Sequence, residues 1–197
     1  MPEPNLEELT DAELKVLAHP LRVRMLEALA DSGPATASQF AARFGESSGA
    51  TSYHLRQLAL HGFIEEDEQR GGGRQRWWRI LRRGWTVPGF DFRQRDATRD
   101  HANVLLHELT RGRLERLRNW FERFDDWGKP WVEAALDSDG RLKLTREELE
   151  QLSQQLLEVL MRYVELDSSR ERPPDGAALV DVQLYAFPVR ALDQPEG

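Results

Sequence analysis

The 197-residue chain contains no cysteine. That excludes a disulfide framework, a thiolate zinc site, an iron–sulfur cluster and a cysteine nucleophile at once. No apolar run approaches the ~18 residues of a membrane helix. The opening MPEPNLEELTDAEL is acidic where a secretory signal is basic and then apolar, so a cytoplasmic protein with no membrane partner is expected. P-loop, GxSxG, HExxH and glycine-rich dinucleotide motifs are all missing. The acidic pairs Glu65-Glu66 and Glu147-Glu148 have simple explanations as a strand surface and a helix first turn. Neither catalysis nor a cofactor is therefore expected. What is present, 40% hydrophobic and 31% charged residues, suits one or two small globular domains with real cores.

A net charge of −7 looks wrong for a protein that meets nucleic acid, so its distribution matters more than its sum. Residues 1–83 hold eleven Lys and Arg against twelve Asp and Glu, which leaves most of the negative charge to the rest of the chain. Within them, residues 69–83 (QRGGGRQRWWRILRR) carry six arginines and no acid. A local basic stripe binds phosphate whatever the global charge.

The N-terminal third predicts short helices with clear punctuation. Leu6, Leu9, Leu14, Val16 and Leu17 suggest a first helix, broken at His19-Pro20 because a residue before proline avoids helical geometry. Leu21 to Ala30 restarts it, and Asp31-Ser32-Gly33-Pro34 is a turn. Thr36 with Gln39 is a capping box opening a short helix that Gly45 stops. Ser47 or Ser48 caps the next helix, which runs to about His61, with Thr51, Leu55 and Leu58 facing inward. Phe63–Asp67 and Arg76–Ile80 then predict two strands around an Arg70-Gly71-Gly72-Gly73-Arg74 tip.

Helix, glycine turn, second helix and basic hairpin, in that order, make a winged helix-turn-helix. The second helix must enter a groove about 12 Å wide, so its exposed face needs small and hydrogen-bonding residues. Ser47, Ser48, Gly49, Ser52, Tyr53, Arg56 and Gln57 meet that demand. Arg70, Arg74 and Arg76 are the candidate phosphate contacts of the wing. His54 fits a phosphate donor and a structural histidine equally, and of Trp77 and Trp78, which alternate across a strand, at least one belongs to the core. The stretches AHPLRVRMLEAL, SGATSYHLRQLALHGFIEED and GGGRQRWWRI resemble the ArsR-type winged-helix transcriptional regulators, most specifically at Ala18-His19-Pro20-Leu21-Arg22 and Ser52 to Leu58. The resemblance covers roughly residues 10–83 and implies a dimeric regulator of duplex DNA. Metal-sensing members place cysteines in the first helix of the motif, where this chain has Ala35 to Ala42, so thiol sensing of arsenic, cadmium or lead is excluded.

Beyond an aromatic connector at 84–95, residues 96–197 predict a long helix and a small α+β dimerisation or effector domain, which the resemblance matches to an extension carried by some bacterial members. The fold class expected is thus α+β: winged helix-turn-helix over 1–83, connector, long helix and α+β domain. Leu114, Leu117, Phe121 and Phe124 are spaced as a helix seam and are the expected dimer contacts. Trp131–Leu136 and Arg141–Leu144 flank Asp139-Gly140 as a hairpin. Thr145 with Glu148 caps a helix to about Val164 with Leu149, Leu152, Leu156, Leu160 and Tyr163 inward, and 180–186 alternate as a strand with one solvated face. His101 and His107 lie about 240° apart around one helix and cannot converge on an ion within one chain, so no metal is expected. Two further readings stay open: a winged helix that docks another protein, and a regulator answering an unknown effector through a C-terminal pocket.

Overall fold

A computed structural model describes residues 7–70, 75–81, 85–86, 89–170 and 172–189. The chain divides into two compact units, Met1–Asn119 and Trp120–Gly197. The architecture is α+β. Among the described residues no helix is long and apolar enough to cross a membrane.

In the first unit, α1 (Asp11–Leu17) starts at a capping box, with Thr10 Oγ1 accepting from the Glu13 amide and the Glu13 carboxylate accepting from the Thr10 amide. After the His19-Pro20 break, α2 (Pro20–Ser32) begins with proline at a position where the missing N–H costs no bond. It buries Leu21, Val23, Met25, Leu26 and Leu29. Next come α3 (Ala37–Phe44) and α4 (Ser48–Leu60), then the wing strands β3 (Ile64–Glu66) and β4 (Trp77–Ile80). These two strands pair antiparallel, with Glu65 opposite Arg79.

A third strand escaped the sequence reading. The two residues of β2 (Ala35–Thr36) join the other edge of β4, giving the order β2-β4-β3. A second small sheet pairs β1 (Glu7–Glu8) in parallel with β5 (Trp85–Thr86). Leu14, Leu17, Met25, Leu29, Phe40, Leu55, Leu58 and Ile64 are fully buried in one core. Each such side chain contributes about 1.5–3 kcal/mol relative to exposure, so this core holds the two helices of the motif to the wing.

Residues 84–95 are more than a connector. They contain α5 (Gly89–Gln94), whose Phe92 enters the core, and Arg95 next to it makes two charge-assisted bonds of 2.7 and 2.9 Å to Asp11. The long helix α6 (Asp96–Arg123) starts within the same unit, where Ala102 and Leu105 complete the core. The first unit therefore runs well past residue 83, because an apolar side chain in an aromatic linker finds a surface to bury against.

In the second unit, α7 (Lys129–Ala134) stands where the first strand of a hairpin was expected. Pro130 lies at the start of this helix, a position that favours helix initiation over the break read from Gly128-Lys129-Pro130. Residues 135–145 and 172–189 form no strand ladder among the described residues, so neither the hairpin expected at 139–140 nor the strand expected at 180–186 is seen there. The capping box of α8 (Arg146–Ser168) is as expected, with Thr145 and Glu148 bonded reciprocally. Leu149, Leu152 and Leu160 are half-buried, but Leu156 is exposed and Tyr163 is 67% exposed, against the inward placement read from helical spacing. Periodicity identifies an apolar face without saying which surface covers it.

Candidate nucleic-acid interface

The turn between α3 and α4 is built from local chemistry. Thr36 and Gln39 exchange the two bonds of a capping box at the start of α3. Gly45 ends the helix in the left-handed region at φ 70°, ψ 30°, which a residue with a Cβ enters only with strain. Ser47 then caps α4 by accepting from the Ala50 amide at 3.1 Å. Behind α4, the buried Thr51 hydroxyl donates to the Ala37 carbonyl at 2.8 Å and clamps the two helices together. Nothing in the spacing of Thr51 distinguished this bond from ordinary apolar contact.

With Thr51, Leu55 and Leu58 buried, the opposite face of α4 is open. Ser48, Gly49 and Arg56 are exposed, Tyr53 is 50% exposed, and Ser52 and Gln57 are half-buried at its margins. Ser47 is exposed but its hydroxyl serves the cap. Arg56 is exposed and folds back so that its Nε donates to the Ser52 carbonyl at 3.2 Å.

His54 takes a different place. Its Nδ1 accepts from Arg22 Nε at 3.2 Å, and Arg22 Nη1 donates to the Val16 carbonyl at 2.9 Å, so Arg22 links α1, α2 and α4. The His19 ring lies 4.3 Å from the His54 ring, and His19 Nδ1 is buried with no hydrogen-bond partner among the described residues. Burial lowers the pKa of both imidazoles, with the Arg22 charge adding to it at His19, and the His19 and Arg22 charges at His54. Glu46 opposes the shift at both, and Tyr53 flanks His54 edge-on.

The unfolded chain therefore protonates first as pH falls below 6.5, the ordinary histidine value. Stability from the neutral pair is present above that pH and is lost as pH falls through it. Thermal melts from pH 7.5 to 5.5 should show a falling Tm, and His54→Gln should flatten that slope. An unchanged slope in the variant would remove this cluster from the acid sensitivity.

The wing is less cationic than its arginine count suggests. Arg79 pairs with Glu65 at 2.6 Å, while Arg76 approaches Glu66 and Arg70 approaches Asp67, each at 3.7 Å. Glu65 and Glu66 come from β3 and meet their arginines through the pairing of the two strands, while Asp67 meets Arg70 three residues on, and a count along 69–83 shows neither. These arginines are half or more exposed, so the pairs are weak and open to exchange for phosphate. Trp78 is buried, and Trp77 is half-buried with the Arg70 guanidinium 5.7 Å above its ring. Arg74 lies outside the described residues.

On α6, Leu114, Leu117 and Phe121 are 45% to 61% exposed, and Phe124, just after it, is 38% exposed. The inner side of the same helix is tied to α2, where half-buried Glu27 accepts from Arg116 at 3.3 Å. Burial raises the Glu27 pKa and Arg116 opposes the rise. Gly112 makes this approach feasible, since a Cβ there would collide with the Glu27 carboxylate. A cleft of about 180 Å³ in this unit is lined by Leu9, Leu17, Leu26, Phe63, Leu105 and Leu109 among others.

Two helices joined at a glycine turn, with an antiparallel wing beside them, define a winged helix-turn-helix. Residues 17–67 match the family model described as a helix-turn-helix domain, about a quarter of the chain. The residues that carry the ArsR-type resemblance, Ala18 to Arg22 and Ser52 to Leu58, lie inside that span. The N-terminal unit thus contains a helix-turn-helix domain, with an antiparallel wing beside it. A solved structure described as a possible transcriptional regulator for arsenical resistance is 26% identical, covers 66% of this chain and all of its own, and superposes with a TM-score of 0.33. No curated protein matches the chain.

Proposed function

We propose that the protein is a sequence-specific regulator of transcription that binds duplex DNA as a homodimer in the bacterial cytoplasm. The observation that carries this reading is α4 itself: one face is locked to the core by Thr51, Leu55 and Leu58, and the other offers Gly49, Ser52, Tyr53 and Arg56 to a groove. Small residues at its first turn allow close approach, while Arg56 and Gln57 carry groups able to make paired hydrogen bonds to guanine and adenine edges. Arg70, Arg74 and Arg76 contact phosphate once DNA displaces their carboxylate partners. Leu114, Leu117, Phe121 and Phe124 supply the dimer contact, since one winged helix alone covers too little DNA for tight specific binding.

Replacing Arg56 or Gln57 with alanine should cost about 1–3 kcal/mol on the cognate duplex and much less on random DNA in a fluorescence titration. Equal losses on both would make these residues phosphate contacts and move base reading to Ser48, Ser52 or Tyr53.

A second reading, a winged helix that docks another protein, is favoured by the internal pairing of Arg70, Arg76 and Arg79. Absent or salt-insensitive DNA binding would mark it, because phosphate contacts release counterions and bind more weakly as salt rises. An effector reading remains compatible, with the 180 Å³ cleft beside α6 as its place in the first unit.

A further inference from the structure

The contact between Arg22 and His54 fixes the place of a proton. A guanidinium donates and never accepts, so in the 3.2 Å bond from Arg22 Nε to His54 Nδ1 the histidine nitrogen is the acceptor and carries no proton. The neutral imidazole then holds its proton on Nε2. Burial, helped by the His19 and Arg22 charges and opposed by Glu46, lowers the His54 pKa and favours this neutral form.

The surroundings also hold the ring in place. Arg22 is tethered through Nη1 to the Val16 carbonyl at 2.9 Å, the His19 ring lies 4.3 Å from that of His54, and Tyr53 meets it edge-on at 5.4 Å. Nε2 has no hydrogen-bond partner among the described residues, yet it is not enclosed, since His19 Nδ1 is the one buried side-chain nitrogen or oxygen left without a partner among them. The Nε2 donor is therefore open to solvent.

Its place on α4 says what it meets. His54 is half-buried beside the inward Leu55 and shares one flank of the helix with Gln57, three residues on. A helix laid in a major groove turns its outer face to base edges and its flanks to the phosphate strands on either side.

We infer that Arg22 is a positioning residue for DNA binding: it holds His54 in the tautomer whose Nε2–H donates to a backbone phosphate. The inference rests on the DNA-binding reading and adds a contact unlike those of the wing. Each arginine on a phosphate releases counterions, whereas a neutral donor does not. The His54 contact therefore supports affinity on every sequence alike without steepening its salt dependence.

Isosteric substitutions separate the two nitrogens. In His54→Asn the amide oxygen stands near the place of Nδ1, so the Arg22 bond is kept and the outer donor is lost. Fluorescence titrations should show this variant binding about tenfold more weakly on cognate and random duplex alike, the scale of a hydrogen bond to a charged group, with the salt slope of the parent. Arg22→Met should weaken the parent about fivefold and leave His54→Asn unchanged, because both act on one contact. In Arg22→Gln the amide nitrogen stands near the place of Nε, and binding should return to within about threefold of the parent. Nitrogen NMR of the imidazoles in the unaltered chain needs no substitution: Nε2 should be the protonated nitrogen of His54, and its signal should shift when duplex is added. Circular dichroism checks the fold of each variant, and if one unfolds the spectra decide. A proton on Nδ1, parent-like binding by folded His54→Asn, or a loss confined to the cognate duplex overturns the inference and leaves DNA binding standing. A chain that binds no duplex overturns both.

Discussion

A chain carrying Leu117→Glu and Phe121→Glu is expected to be a folded monomer at the nanomolar concentrations of a binding measurement and to lose its preference for the cognate site. Both side chains are about half exposed on α6. The inner side of the same helix stays anchored through Leu105 and through Glu27 with Arg116. Carboxylates at the two outer positions therefore cost little in a lone chain and face each other across a two-fold interface, where burial of an unpaired charge is costly. Specific binding is typically 10³–10⁷ tighter than non-specific binding, and most of that ratio should vanish while weak, salt-dependent binding remains. Light scattering, circular dichroism and a titration on cognate and random duplex read the three quantities. A variant that stays dimeric and specific would move the dimer contact to another surface, and one that unfolds would assign the seam to the core of its own chain.

The second large effect lies one residue from the proposed base contacts. Leu55 is fully buried beneath α4, and Leu55→Ala should destabilise the protein by about 2–5 kcal/mol through lost transfer energy and a residual cavity. Arg56→Ala, on the exposed side, should leave the unfolding midpoint within about 0.5 kcal/mol of the parent. Binding by Leu55→Ala should fall in proportion on cognate and random DNA, because the variant lowers the folded population without changing what α4 presents. Denaturant titration of both variants checks this. Equal midpoints would mean that the inner face of α4 is not held as the buried trio implies.

The N-terminal motif was legible because its determinants are local. Thr36 with Gln39, Gly45 and Ser47 act over three or four residues, and Thr51, Leu55 and Leu58 announce the inner face of α4 by helical spacing. What escaped depends on distant partners. A count of arginines along 69–83 cannot show that Glu65, Glu66 and Asp67 stand across or beside them in the folded hairpin. The strand β2 is two residues long and gains its identity only from the β4 edge. His54 could not be assigned until Arg22, thirty-two positions earlier, was placed against it. In the second unit the limit is of another kind. Helical spacing groups Leu156 and Tyr163 with the apolar residues of α8, but spacing does not say what covers a face, and both side chains are exposed.

The central claim, a two-fold reader of duplex DNA, is tested most directly by selecting bound duplexes from a random pool with the full chain and sequencing them. The expected result is an enriched inverted repeat whose half-site centres lie about 10–10.5 base pairs, or a multiple of that, apart, as two α4 helices in major grooves on one side of the duplex require. Recovery of duplexes with no shared sequence, or of a single unrepeated half-site by a dimeric protein, would contradict it.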